Sequence, residues 1–123
     1  MSYYFIDYEN VNISGIEGVK NLKPEDTVYI FYSEQIKNIL FEKCIELVKS
    51  KAKIEFIKIS KPGKNSLDFQ LATYLGYILG KEKKQPIYII SKDTGFDCII
   101  AFWKGRSVDI HRKESIQKNI HKN

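Results

Sequence analysis

Four aspartates hold the positions in this chain from which chemistry is expected: Asp7, Asp68, Asp93 and Asp97. Asp7 and Asp93 each stand just after a short apolar run, while Asp68 and Asp97 each fall in the first turn of a periodic segment. Carboxylates that are brought together repel one another unless a cation or a raised pKa offsets the charge. Acids gathered at one place therefore suggest Mg²⁺ or Mn²⁺ held by oxygen ligands.

The elements that must position these acids are readable from apolar periodicity. Residues 3–7 (YYFID), 27–32 (TVYIFY), 53–59 (KIEFIKI) and 86–90 (PIYII) are short runs rich in β-branched and aromatic residues, and residues 107–110 are expected to form a last strand. Residues 34–50 place Ile36, Ile39, Leu40, Cys44, Leu47 and Val48 at spacings of three and four, which predicts one amphipathic helix capped by Ser33. Residues 65–79 predict a second helix with Gly80 as its C-cap, and residues 95–104 a third ending near Gly105. A loop with a short helix is expected after Asp7, through Gly15 and Gly18, and a basic tail, helical in part, closes the chain.

Strands alternating with helices predict an α/β fold: a three-layer α/β/α sandwich around a central, mostly parallel sheet of about five strands. In such sheets the functional crevice lies beyond the carboxyl ends of the strands, where Asp7 and Asp93 fall. Asp68 lies three, four and seven residues before Leu71, Ala72 and Leu75, on the inward stripe of its helix. Capping accounts for some of the same residues. Asn65 and Asp68 have the spacing of a capping box. Thr94 or Asp93 can cap the helix in whose first turn Asp97 sits. A helix N-terminus beside a crevice accommodates both roles.

Composition narrows the class. The 123 residues suit one domain, and 43% hydrophobic content is enough for a core of its own. No apolar run reaches the ~20 residues of a membrane span, and Met1-Ser2-Tyr3-Tyr4 lacks the basic flank of a signal peptide, so a cytoplasmic protein is expected. Cys44 and Cys98 fit neither metal spacing nor a disulfide frame and are expected to be buried thiols. The net charge of +5 is concentrated at Lys49, Lys51, Lys53, Lys58, Lys61 and Lys64, at Lys81, Lys83 and Lys84, and in the tail. That distribution suits a polyanionic partner. A Gly-rich dinucleotide turn and a G-x-x-x-x-G-K-[ST] phosphate loop are both absent. His111 and His121 fall too late in the chain to serve a Ser or Cys nucleophile.

Asp7-Tyr8-Glu9-Asn10, Asn65-Ser66-Leu67-Asp68 and Ser91-Lys92-Asp93-Thr94-Gly95-Phe96-Asp97 together resemble the PIN-like nucleases, especially their NYN branch, whose D-x-x-N signature the first motif matches. The resemblance covers about residues 3–111. It implies a Rossmann-like PIN-like nuclease domain over residues 1–112, followed by a basic tail over 113–123. It also implies a metal-dependent endoribonuclease that hydrolyses RNA, with Mg²⁺ or Mn²⁺ held by Asp7, Asp68, Asp93 and Asp97, and with Asn10 and Ser91 shaping the site. Glu9 is either a further ligand or a solvated side chain. Many members of the branch carry an acid where this chain has Gly95, and Asp97 is the next acid available. RNA, single-stranded rather than duplex, is the implied partner, and the resemblance also admits a homo-oligomer. Lys61, Lys64, Lys92, Lys104 and Arg106 fall in or near loops where they would meet phosphates, and Tyr8 or Tyr32 would stack an unpaired base. The competing reading is an inactive nucleic-acid- or protein-binding module on the same fold.

Overall fold

The computed structural model describes residues 1–82 and 86–117. Strands β1 (Tyr3–Asp7), β2 (Thr27–Tyr32), β3 (Lys53–Lys58), β4 (Ile87–Ile90) and β5 (Ile110–Lys113) form one sheet in the order β3-β2-β1-β4-β5, and every adjacent pair is parallel. Helices α1 (Tyr8–Gly15), α2 (Phe41–Lys49), α3 (Ser66–Lys81) and α4 (Asp97–Lys104) cover its two faces, giving the expected three-layer α/β architecture.

Side chains alternate along a strand, so each face collects its own core. Tyr3, Phe5, Tyr29, Phe31, Ile87 and Ile89 pack against Leu67, Leu71 and Leu75 of α3 and Ile100 of α4. Tyr4, Ile6, Val28, Ile30 and Ile90 pack against Val11 of α1 and Leu47 of α2. Phe5, Phe31 and Ile6 are fully buried, each contributing roughly 1.5–3 kcal/mol of apolar transfer. Asp7 continues the alternation of Tyr3 and Phe5, which directs its carboxyl to the α3 side. Ser91 continues Ile87 and Ile89 to the same side.

Several local expectations are corrected. The helix expected over residues 34–50 is confined to Phe41–Lys49. Before it the chain turns: the Ser33 Oγ accepts the Gln35 N–H at 3.2 Å and the Ser33 carbonyl accepts the Ile36 N–H at 3.0 Å. Ile36 and Ile39 reach the second core from this turn, so their helical spacing reflects burial without a helix. Gly80 lies inside α3, which ends at Lys81. The last strand is Ile110–Lys113 and not residues 107–110, because Ser107 and Val108 are tied back to the end of α4 through the Lys104 and Trp103 carbonyls.

Cys98 is exposed and Cys44 half-buried, against the expectation of two buried thiols. Both sit on helices, and the outward side of α4 places Cys98 in solvent. Residues 114–117 form bends, while Lys83, Lys84 and the tail over 118–123, including His121, lie outside the described residues. Gly18 has φ of +94°, and a Cβ there would stand 2.9 Å from the Gln117 Cα, so only glycine lets these bends close against the chain after α1. Among the described residues no helix is long and apolar enough to cross a membrane.

Candidate active site

Parallel strands bring the ends of β1 and β4 to one edge, and the loop after β3 returns there to start α3. Asp7, Glu9, Asn10, Gly63, Asn65, Leu67, Asp68 and Asp93 line one open crevice of about 220 Å³ at that edge.

Asp7 is 4% exposed. Its Oδ2 accepts the Ser91 hydroxyl at 2.9 Å, and the Ser91 Oγ in turn accepts the Asp93 N–H at 3.0 Å, so one serine connects the two strand ends. Burial raises the Asp7 pKa to about 6; the charges of Asp68 and Asp93 add to the rise, and hydrogen bonds from Ser91 and the Asn10 backbone oppose it. Burial also raises Asp68, helped by Asp93 both as a like charge and as a hydrogen-bond partner. The Asn10 Oδ1 accepts the Lys92 N–H at 2.7 Å and so pins the first turn of α1 to the turn after β4. Glu9 is exposed at the rim.

Of the two capping interpretations, one forms. Asn65 has φ of +61° and its side chain makes no cap bond, so there is no capping box with Asp68. Asp93 does cap: its Oδ1 accepts the Gly95 N–H at 2.8 Å. A Cβ on residue 95 would lie 3.0 Å from that oxygen, so glycine at this position leaves room for the Asp93 carboxylate.

Asp97 is placed differently. It does not line the crevice; the Arg112 Nε donates to its Oδ1 at 2.7 Å, and this guanidinium holds its carboxyl below the usual range. Arg112 also donates to the Ser91 carbonyl at 3.2 Å. It therefore clamps the start of α4 to the end of β4, a positioning role that sequence reasoning missed. Placing the last strand at residues 110–113 would have pointed to it, since Arg112 then lies beside β4.

The basic residues divide between the two edges. Lys61 and Lys64 follow β3 and Lys92 follows β4, so these exposed lysines share the edge with the crevice. Lys104 ends α4 and Arg106 lies in the turn after it, before β5 begins, which puts them at the opposite edge, with the Arg106 guanidinium 3.8 Å over the Phe102 ring. Tyr8 is buried at 5% exposure and is not presented on the crevice rim.

Among the described residues no three His, Cys, Asp or Glu side chains converge into a group that would close around a metal ion. Ser91 and the Gly95 N–H each occupy one carboxylate oxygen, of Asp7 and of Asp93 respectively. The family model PIN7, described as PIN domain, matches residues 1–113. No curated protein and no solved structure matches the chain.

Proposed function

Since this chain belongs to the PIN domain family, whose members are generally nucleases, we propose that it is a divalent-metal-dependent endoribonuclease of the NYN branch acting on single-stranded RNA. The observation that carries this reading is the lining of one crevice by Asp7, Asp68 and Asp93, two of which are pushed toward protonation by burial and mutual repulsion. The donors fit a hard cation, being carboxylate and amide oxygens without sulfur or imidazole. Asp7, Asp68 and Asp93 would supply carboxylate oxygens to Mg²⁺ or Mn²⁺, with Glu9 at the rim and water filling the rest of the shell, since no three of these side chains converge on one point. When bound, such a cation lowers the pKa of water and offsets charge developing on a phosphate.

The remaining work falls to the chain itself. Ser91 fixes the Asp7 carboxylate and the Asp93 backbone in one geometry. Asn10 locks the first turn of α1, which carries Glu9, to the turn that carries Asp93. Lys61, Lys64 and Lys92 attract the phosphates of a strand entering this edge.

The deciding experiment is incubation of labelled single-stranded RNA with the full chain in Mn²⁺ or in EDTA. Internal cleavage in Mn²⁺ alone is expected. Cleavage undiminished by EDTA would remove the metal, and intact RNA under every divalent ion would leave a binding module instead. A second expectation concerns the clamp. Asp97→Asn and Arg112→Met should each slow cleavage by about tenfold or less, and the double variant should be no slower than the worse single one, because both remove the same contact. Multiplying effects in steady-state rates would instead give Asp97 a role apart from Arg112.

A further inference from the structure

Behind the acidic crevice, on the α1 and α2 side of the sheet, lies an apolar cavity of about 200 Å³ whose walls include Tyr8, Tyr32, Ile36, Ile39 and Phe56. It runs on into a second hollow that shares Tyr8, Ile36, Asn38 and Ile39 and reaches Asn12. Tyr8 belongs to both and immediately follows Asp7, so one residue of backbone separates this space from the crevice.

The Tyr8 side chain supplies an independent observation. It is 95% buried, yet its hydroxyl makes no hydrogen bond among the described residues. Among the described residues no side-chain polar atom sealed from solvent lacks a partner, so this hydroxyl is reached by solvent, and Tyr8 is one of the residues that line the cavity. A polar group set in an apolar wall is what fixes the orientation of a ligand that carries hydrogen-bonding edges.

We propose that this cavity is a base-selecting pocket, which receives one nucleobase of the single-stranded RNA whose backbone lies at the acidic crevice. The inference rests on the nuclease reading given above. The cavity's own volume of about 200 Å³ admits a single ring system, and the adjoining hollow leaves room for the attached sugar. Tyr32 and Phe56 offer faces on which any base stacks, and Phe56 is 58% exposed at the mouth. The Tyr8 hydroxyl and the Asn38 amide offer the polar contacts that tell one base edge from another. Lys37, exposed at the same mouth, faces the phosphates that flank an inserted base. Asn12, on the rim of the adjoining hollow, is held at φ of 54° and ψ of −148°, backbone strain of the kind kept at binding sites.

The test uses full-length Asp93→Asn protein, which separates binding from cleavage, titrated with eight-nucleotide oligomers of A, C, G or U by fluorescence anisotropy. One base should bind at least tenfold more tightly than the weakest. Tyr8→Phe on this background should shrink that ratio several-fold while leaving the weakest oligomer unchanged, and Ile36→Trp, which fills the cavity, should abolish the ratio. Equal binding of all four oligomers, or a ratio untouched by both variants, would overturn the pocket even if the wild-type protein cleaves RNA. Base discrimination that responds to Tyr8→Phe in a protein whose wild type never cleaves RNA would keep the pocket and sink the nuclease reading. Light scattering on the same samples covers the remaining occupant: a dimer that Phe56→Asp disperses would mean the cavity seats a second copy of the chain, and would also overturn the proposal.

Discussion

Asp7→Asn should abolish RNA cleavage, by about 100-fold or more, and at neutral pH it should make the protein more stable. The two effects have one origin. The Asp7 carboxyl is buried beside Asp68 and Asp93, and its pKa in the folded protein is about 6 against an ordinary 3.8. The folded state therefore holds this proton more tightly than the unfolded chain does. Raising the pH from about 4 to about 6 ionises the group in the unfolded chain first, so stability falls across that window and stays low above it. At ~1.4 kcal/mol per pKa unit the penalty is about 1–3 kcal/mol at neutral pH, allowing for water in the open crevice.

Asparagine has the shape of aspartate, keeps an acceptor for the Ser91 hydroxyl and carries no charge, so the variant escapes the penalty. Thermal unfolding of both proteins should show a higher Tm for the variant at pH 7.5 and little difference at pH 4. Equal differences at the two pH values would show that the charge on Asp7 is not what strains the fold. Millimolar Mn²⁺ should raise the Tm of the wild-type protein at pH 7.5 and have far less effect on the variant.

Gly15→Ala should destabilise the protein by about 2–3 kcal/mol, lowering Tm by roughly 10 °C. Alanine is normally the better helix former, so the sign runs against intrinsic propensity. A Cβ at residue 15 would lie 2.0 Å from the Val11 Cγ2 and 2.6 Å from its Cβ, and Val11 is itself buried against the sheet at 2% exposure. Neither side chain has room to withdraw. Gly15 also accepts the Ile116 N–H at 3.0 Å, so a displaced helix end pulls on the bends that follow β5. The specific check is the same substitution in a Val11→Ala background, where much of the loss should disappear. An equal loss in both backgrounds would place the cause elsewhere.

The strands at residues 3–7 and 27–32 are legible in the sequence because a parallel strand covered on both faces is an unbroken apolar run bounded by polar residues. α3 is legible from Leu67, Leu71 and Leu75; strand direction puts Asp7 and Asp93 at one edge, and the inward stripe at the start of α3 adds Asp68. Residues 34–40 are not legible, because Ile36 and Ile39 satisfy a helical period while a serine side chain turns the backbone away from it. β5 is shifted by three residues because its polar, half-exposed sequence Ile-His-Arg-Lys lacks the apolar alternation of an ordinary strand. The partner of Asp97 was hidden for the same reason: it is fifteen residues away along the chain and adjacent only once β5 is in register. The Tyr8 ring was legible as an aromatic beside the acids, but its burial follows from packing against α2, which local spacing does not encode.

The position of β5 at the sheet edge next to β4 sets the order in which the crevice matures during synthesis. A ribosome that has released residues up to the end of α4 has delivered every acid that lines the crevice. It has not yet delivered Arg112, which reaches both the Ser91 carbonyl and the Asp97 carboxylate, or the Lys113 carbonyl, which accepts the Ser91 N–H at 2.9 Å. Until β5 docks, the turn that carries Asp93 is held by Ser91 and Asn10 without the Arg112 clamp. The last contacts of this edge are therefore made as β5 pairs with β4, so loosening that one strand loosens the turn that carries Asp93.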